Sequence, residues 1–248
     1  MNPGHDDAAE ILDAFRSASI VFQPIVELQG WRVTGFEALA RMTDGTPPPP
    51  WLDRAEAAGM REQAEIVLID AALRAAAALP TGLSVTYNAS GATILLPALH
   101  DLFASTARPW GLELYEGSTA ADLGEVRAAV TRLGGQLLVD DAGAASADET
   151  RITTLRPDVV KIDRALFWQI SEDADALRHL ERLLVAARAT GAKVLVEGVS
   201  DPEQVERARE LGADYLQGFH LGLPTPAAGM PALLADLQRR VGVDAPGL

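Results

Sequence analysis

The 248-residue sequence contains no cysteine, which excludes disulfide bonds, thiolate nucleophiles and Cys-ligated zinc or iron–sulfur clusters. Apolar runs such as residues 137–139 and 194–196 are far shorter than the ~18 residues that cross a bilayer, and no basic-then-apolar leader opens the chain. Positive charge is scarce, with 21 Lys and Arg against 35 Asp and Glu, whereas a nucleic-acid polymer requires a basic surface. These deficits predict a cytoplasmic protein that binds neither a membrane nor a nucleic-acid polymer.

The distribution of apolar residues predicts the fold class. Hydrophobic residues make up 48% of the chain, and short β-type runs alternate with longer segments of helical period, as in βα units with a parallel sheet. The predicted strands are residues 20–26, 32–39, 83–87, 112–114, 136–139, 159–162, 193–196 and 215–217. The predicted helices are residues 60–79, 121–133, 173–190 and 202–211. This order predicts one α/β domain over residues 1–248, a TIM-like (β/α)8 barrel with a core at about 18–242 and short flexible termini. A doubly wound open sheet is the alternative.

The first two predicted strands differ from the others because Gln29-Gly30 separates them, a dipeptide typical of a β-hairpin. We therefore expect one strand of the barrel to run antiparallel to its neighbour.

Polar side chains, mostly carboxylates, stand at the carboxyl ends of the predicted strands. In chain order they are Glu37, Asn88, Glu113 with Glu116, Asp140 with Asp141, Lys161 with Asp163, Glu197, and Gln217. A barrel closes these ends into one ring, where so many carboxylates would repel one another unless divalent cations lay between them. Oxygen ligands without Cys or clustered His favour Mg²⁺, Mn²⁺ or Ca²⁺ over Zn²⁺. Pairs of such ions are a recurrent device for phosphoester hydrolysis.

Each of these residues also has an ordinary structural interpretation. A single carboxylate after a strand is usually a helix N-cap or a loop residue, and Asp140-Asp141 has the alternative of being a cap pair. Lys161 and Asp163 alternate with Ile162, so we expect both on the same side of a strand. A buried Lys is costly without a partner, so we expect Lys161 to pair with carboxylates or with a metal-bound water, an internal salt bridge being the alternative.

Eight short motifs occur in a fixed order along nearly the whole chain. They are Phe22-Gln23-Pro24-Ile25-Val26, Glu37-Ala38-Leu39, Tyr87-Asn88-Ala89-Ser90, Glu113-Leu114-Tyr115-Glu116, Asp140-Asp141, Lys161-Ile162-Asp163, Glu197-Gly198-Val199 and Gln217-Gly218-Phe219. This ordered set resembles the EAL domain family, the phosphodiesterases of cyclic di-GMP in bacterial second-messenger signalling. The resemblance implies a TIM-like barrel with one antiparallel strand and a hydrolase that converts cyclic di-GMP to linear pGpG.

The resemblance also implies roles for individual residues. Glu37, Asn88, Glu113 and Asp140 would hold one divalent ion, and Asp140 would bridge to a second ion held by Asp141 and Glu197. Lys161 would contact the attacking water, and Glu197 would serve as metal ligand or as general base. The implied substrate contacts are Gln23, Arg41 and Gln217, and the implied supporting residues are Glu116 and Asp163. The implied cofactors are two Mg²⁺ or Mn²⁺ ions, with Ca²⁺ as a non-productive ligand.

The segment after the Asp pair departs from the family pattern. It reads Ala142-Gly143-Ala144-Ala145-Ser146-Ala147-Asp148-Glu149, where active members usually have Phe-Gly-Thr-Gly-Tyr-Ser-Ser-Leu. Replacing hydroxyls and aromatics by Ala removes hydrogen bonds that hold metal ligands in position. Two functions therefore stay open: an enzyme that is slow or activated by a regulatory protein partner, and a non-catalytic cyclic di-GMP receptor. A scaffold that binds no ligand is a weaker third, and both a monomer and a homodimer are compatible with the sequence.

Overall fold

The computed structural model describes residues 3–115, 122–144 and 148–244, with side chains from residue 9 onwards. The strands are β1 (Ser19–Glu27), β2 (Arg32–Arg41), β3 (Ser84–Ala89), β4 (Trp110–Leu114), β5 (Gln136–Ala142), β6 (Val159–Ile162), β7 (Lys193–Val196) and β8 (Tyr215–Leu216). The helices are α1 (Pro3–Arg16), α2 (Pro49–Ala57), α3 (Arg61–Ala76), α4 (Gly91–Ile94), α5 (Pro97–Ala104), α6 (Leu123–Leu133), α7 (Asp148–Leu155), α8 (Arg164–Gln169), α9 (Ala174–Thr190), α10 (Pro202–Glu210) and α11 (Met230–Val241), and a short 3₁₀ turn (Ala227–Gly229) precedes α11.

The strands close into a barrel in chain order, β1 to β8. Strand β1 pairs antiparallel with both β2 and β8, and all other neighbouring strands pair in parallel. The prediction of a TIM-like (β/α)8 barrel with one antiparallel strand is confirmed, and the open sheet is excluded. The hairpin at Gln29-Gly30 reverses the chain between β1 and β2, as expected.

A small group of side chains fills the amino-terminal half of the barrel interior. Ile25, Leu138, Val159 and Leu195 form a buried cluster there, against which the half-buried Tyr215 packs. Gly111 leaves room for this layer, since a Cβ at that position would lie 2.6 Å from Leu138 Cδ1. This cluster, called the interior plug below, makes this part of the barrel a packed core, and the polar side chains at the carboxyl ends of the parallel strands lie above it.

The helices pack outside the strands, and the four predicted ones correspond within a few residues to α3, α6, α9 and α10, with residue 121 outside the described residues. Gly134 and Gly191 end α6 and α9 in left-handed conformations, with φ of 76° and 80°. Within the described residues, none of the helices is long and apolar enough to span a membrane.

The expectation of a flexible amino terminus is wrong for residues 9–16. These residues belong to α1, whose Ile11 and Phe15 are buried in a second apolar cluster with Met42, Ala55 and Ala64. Helix α1 is held by packing against α2 and α3, a contact that its own sequence does not specify.

Candidate functional site

The polar ring at the carboxyl ends of the parallel strands follows from strand alternation. Side chains two residues apart point to the same side of a strand, so Asp140, Lys161 and Glu197 stand above Leu138, Val159 and Leu195 of the interior plug. On the antiparallel strand β1 the direction reverses, and Gln23 is the residue above Ile25. The sequence therefore places one layer of apolar side chains beneath one layer of functional groups.

Lys161 lies at the centre of this polar layer. Its side chain is 1% exposed, and Nζ lies 2.5 Å from Glu113 Oε2 and 2.7 Å from Asp140 Oδ1. Two further carboxylate oxygens lie nearby, Glu197 Oε1 at 2.8 Å and Glu37 Oε2 at 3.6 Å. Lys161 is therefore buried and paired with carboxylates, an arrangement that both the predicted site and the alternative of an internal salt bridge require.

Asp140 and Asp141 reach the same site because β5 is irregular at this point. The pairing of β5 with β6 shifts register between Val139 and Ala142, and Asp141 adopts a positive φ of 52°. A bulge of this kind turns a side chain that would otherwise point away, and Asp tolerates the left-handed region better than most residues. Oxygen atoms of Asp140, Asp141 and Glu197 consequently lie within 4.8 Å of one another.

The donor chemistry of this cluster fits a hard divalent cation. Carboxylate oxygens converge from β5 and from the end of β7, which is the kind of ligand set that Mg²⁺, Mn²⁺ and Ca²⁺ prefer. Glu113 is fully buried, and its Oε1 atom has no hydrogen-bond partner among the described residues. A buried oxygen without a partner is costly, and coordination of a cation would satisfy it.

Three amide side chains border the carboxylates. Asn88 Nδ2 donates to Glu37 Oε1 at 3.2 Å, and Gln217 Nε2 donates to Glu37 Oε2 at 2.7 Å. Gln217 Nε2 also lies 3.2 Å from Gln23 Oε1, and Gln23 Nε2 donates to the carbonyl oxygen of Gly222 at 3.0 Å. The predicted residues Gln23, Asn88 and Gln217 thus lie together around Glu37.

Burial and mutual repulsion change the ionisation of the site. Burial raises the pKa of Glu197 to about 8 and that of Asp141 to about 6, and the charge of Asp140 adds to both effects. Burial and the neighbouring Glu37 raise the pKa of Glu113 well above its usual value. Burial opposes the charge of Lys161, but the surrounding carboxylates outweigh it and raise the pKa of the ammonium group.

A cavity of about 560 Å³ extends from the carboxylates across the end of β2 to α2 and α3. Its lining includes Glu37, Arg41, Asn88, Asp140 and Asp141 of the predicted set, together with apolar residues such as Leu52 and Leu68. Arg41 Nη1 donates to the carbonyl oxygen of Ala40 at 2.8 Å, which holds the guanidinium at the wall of the cavity.

Glu116 and Asp163 are the two predicted supporting residues. Glu116 lies outside the described residues. The expectation that Asp163 lies on the same strand as Lys161 is wrong, because β6 ends at Ile162 and Asp163 caps α8, with Oδ1 accepting from the backbone of Ala165 at 2.9 Å and of Leu166 at 3.2 Å. Its charge still contributes to the raised pKa of Asp141.

The segment after Asp141, which departs from the family pattern, is described up to Ala144 and again from Asp148. Gly143 has φ 111°, and its backbone N–H donates to Oδ2 of the buried Asp148 at 2.7 Å. The N–H of Ala144 donates to the carbonyl oxygen of Asp141 at 3.1 Å. A carboxylate at residue 148 therefore ties the start of this segment to the start of α7.

Sequence reasoning missed two residues that line the cavity, Arg61 and Glu65 of α3. Both are charged, and Glu65 is 4% exposed. Their partners lie far away along the chain, so a local motif could not have revealed them. An acidic residue among the apolar positions of a predicted amphipathic helix was the available signal.

Comparison with known proteins gives a family match over most of the chain. The sequence model of the EAL domain family matches residues 8–224. A probable cyclic di-GMP phosphodiesterase of Escherichia coli, PdeN, is 26% identical over 251 residues, which cover 91% of this chain and 46% of PdeN. The chain spans less than half of the length of curated relatives such as this one.

Solved structures resemble the barrel closely. An EAL domain protein from Listeria monocytogenes has a TM-score of 0.77 at 23% identity, and the match covers 92% of this chain and 97% of that one. Klebsiella pneumoniae BlrP1, solved with manganese and cyclic di-GMP, has a TM-score of 0.74 at 25% identity, with coverage of 84% of this chain and 56% of BlrP1.

Proposed function

The chain belongs to the EAL domain family, and from this premise we propose that it is a metal-dependent phosphodiesterase that hydrolyses cyclic di-GMP to linear pGpG. One observation carries the proposal above all others. Asp140, Asp141 and Glu197 bring oxygen ligands within 4.8 Å of one another, beside a buried Lys161, at the open end of the barrel. Relatives named as cyclic di-GMP phosphodiesterases support the choice of substrate.

Two divalent ions, Mg²⁺ or Mn²⁺, are the proposed cofactors. Glu37, Asn88, Glu113 and Asp140 would hold one ion, and Asp140, Asp141 and Glu197 would hold the other. When bound, such ions activate a water nucleophile and stabilise charge on the phosphate during in-line displacement. Ca²⁺ would occupy the same ligands without supporting turnover.

Lys161 and Glu197 are the proposed catalytic residues. Lys161 Nζ, surrounded by carboxylates, would donate a hydrogen bond to the attacking water and hold it near the phosphate. Glu197 Oε1 lies 2.8 Å from that ammonium group, so a proton leaving the water has an acceptor beside it. Glu197 is thus proposed both as a ligand of the second ion and as the general base.

Substrate binding is assigned to Gln23, Arg41 and Gln217. Arg41 lines the cavity that opens from the carboxylates, and the planar fork of a guanidinium suits a phosphate oxygen. The buried amides of Gln23 and Gln217 supply further polar contacts beside Glu37. The apolar part of the cavity toward α2 and α3 is suited to a nucleobase.

A cyclic di-GMP receptor without turnover is the second candidate, and the segment after Asp141 favours it. Ala142, Gly143 and Ala144 have no side-chain hydroxyl with which to brace the Asp pair. The described hydrogen bonds of this segment come from the backbone and from Asp148. A loosely held Asp141 would bind a second ion weakly and slow the reaction without preventing substrate binding.

Single-turnover hydrolysis distinguishes the two candidates. Protein in excess over cyclic di-GMP is incubated with Mg²⁺ or Mn²⁺ and compared with Glu37→Ala, with a chelator, and with Glu210→Ala as a matched change of an exposed residue. We expect conversion to pGpG by the wild type and by Glu210→Ala, and its loss in Glu37→Ala and with chelator. Binding of cyclic di-GMP by calorimetry without any conversion would contradict the enzyme and support the receptor, and absence of binding would leave only a scaffold.

A further inference from the structure

Glu65 is a buried carboxylate on α3 that has no place in the proposed chemistry. Its side chain is 5% exposed, and Oε2 accepts from both the backbone N–H of Ser90 at 2.8 Å and the Ser90 hydroxyl at 2.7 Å. Ser90 in turn caps α4 by accepting from the N–H of Thr93 at 3.2 Å. Glu65 therefore holds the chain at the point where β3 ends, two residues after Asn88.

Arg61, one helical turn earlier, makes a matching contact with the next strand. Its Nε donates to Glu65 Oε1 at 3.0 Å, and its guanidinium carbon lies 4.8 Å from the centre of the Tyr115 ring. Tyr115 follows β4 directly, two residues after Glu113. Arg61 Nη1 also lies 2.7 Å from Oε2 of Glu56 on α2, so a second carboxylate balances the charge of the guanidinium.

The two contacts connect α3 to the ends of neighbouring strands that carry proposed metal ligands. Asn88 lies on β3 and Glu113 on β4, and these two residues are direct partners in the strand register. The ion pair joins Glu65, which holds the backbone at Ser90, to Arg61, which lies over the ring of Tyr115, and so restricts how far either ligand can shift relative to the other. Small displacements of ligand atoms weaken metal binding strongly, because each ion has a preferred geometry.

We propose that Glu65 and Arg61 are positioning residues that set the spacing of Asn88 and Glu113 for the ion that those residues share. The inference rests on the proposed function, because it assigns Asn88 and Glu113 to one metal site. Neither Glu65 nor Arg61 ligates the ion, and their effect reaches it through Ser90 and Tyr115.

Mn²⁺ affinity measured by electron paramagnetic resonance tests the assignment. Glu65→Gln replaces an acceptor of two hydrogen bonds and one ion pair by an uncharged amide, and we expect the dissociation constant for Mn²⁺ to rise on the order of 10-fold, as is common when a ligand loses its hydrogen-bonded support. Glu62→Gln is the matched control on the same helix, since Glu62 makes no side-chain hydrogen bond or ion pair within the described part of the chain. Its Mn²⁺ affinity should equal that of the wild type.

Two variants that remove fewer interactions keep the test decisive if Glu65→Gln does not fold. Ser90→Ala removes the hydroxyl but keeps the backbone N–H bond, and Arg61→Lys keeps the charge but loses the planar group over Tyr115. Each should weaken Mn²⁺ binding less than Glu65→Gln. A role in stability alone would lower the free energy of unfolding while leaving Mn²⁺ affinity unchanged in every folded variant, and that result would overturn the inference. A wild-type protein that binds no Mn²⁺ would instead contradict the proposed function itself.

Discussion

At the scale of single residues, Lys161 is the group that makes the carboxylate ring compatible with folding. Its ammonium lies within 4 Å of four carboxylate side chains, those of Glu37, Glu113, Asp140 and Glu197. The sequence predicted that Lys161 is buried and that carboxylates or a metal-bound water are its partners. What it could not predict is the number of partners, because that depends on the closure of the barrel around one side chain.

Substitution of Lys161 separates its electrostatic and catalytic roles. Lys161→Met removes the ammonium that orients the attacking water, and we expect single-turnover hydrolysis to slow by about 100-fold or more. Mn²⁺ affinity should not fall, because the ligands remain and the ring becomes more negative. Lys193→Met is the matched control, since Lys193 is the other lysine of the sequence and is exposed. Turnover at the wild-type rate in Lys161→Met would contradict the role.

The raised pKa of Glu197 predicts how the metal-free protein responds to pH. The folded state holds a proton that the unfolded state releases, so stability falls as pH rises from the usual glutamate value toward about 8. In the presence of a chelator we expect the melting temperature to drop between pH 5.5 and pH 8, by about 2–4 °C for each kcal/mol lost. Glu197→Gln should reduce this slope, whereas Glu203→Gln, at an exposed glutamate, should not.

Divalent ions should reverse the same trend. Metal and protons compete for these carboxylates, so Mn²⁺ should stabilise the protein more at pH 8 than at pH 5.5. A melting temperature that rises with pH in chelator, or Mn²⁺ stabilisation that is larger at low pH, would show that the buried carboxyl groups are not protonated in the folded state.

At the scale of elements, the bulge in β5 decides the geometry of the site. The apolar run before Asp140 predicted the strand, and the Asp pair predicted two ligands. The strand alternation rule, however, sends adjacent side chains to opposite faces. The positive φ of Asp141 and the register shift that bring both carboxylates to the site have no unambiguous sequence signal.

Gly143 follows this bulge and has little room for a side chain. Its φ is 111°, and a Cβ would overlap with Leu166 of α8. We expect Gly143→Ala to cost about 1–3 kcal/mol in the free energy of unfolding, measured by urea denaturation, because a non-glycine residue is strained there. It should also weaken Mn²⁺ binding by displacing Asp141. Gly82→Ala, where a Cβ would meet nothing within 4 Å, is the control and should match the wild type in both measurements.

At the scale of the whole molecule, features set by local sequence pattern were predictable, and features set by packing between distant segments were not. The βα order and the polar ring were predictable from the alternation of strands and helices and from the closure of the barrel. The presence of one antiparallel strand was predictable from the hairpin dipeptide Gln29-Gly30. The helix over Pro3–Arg16 and the link from Glu65 to Ser90 were not, since each depends on contacts between segments that are distant in sequence. Asp163 shows the limit of a local rule, because β6 ends one residue earlier and Asp163, expected on the strand, caps a helix instead.

The number of Mn²⁺ ions bound per chain tests the central claim most directly, namely that the carboxyl ends of the barrel strands bind a pair of divalent cations. Wild-type protein and Asp140→Asn are titrated with Mn²⁺ in the presence of cyclic di-GMP and followed by electron paramagnetic resonance. We expect two bound ions for the wild type and weakened binding of both in Asp140→Asn, because Asp140 is the proposed ligand that they share. If the wild type binds no Mn²⁺, or if Asp140→Asn binds Mn²⁺ as well as the wild type does, the claim of a shared pair of ions is contradicted.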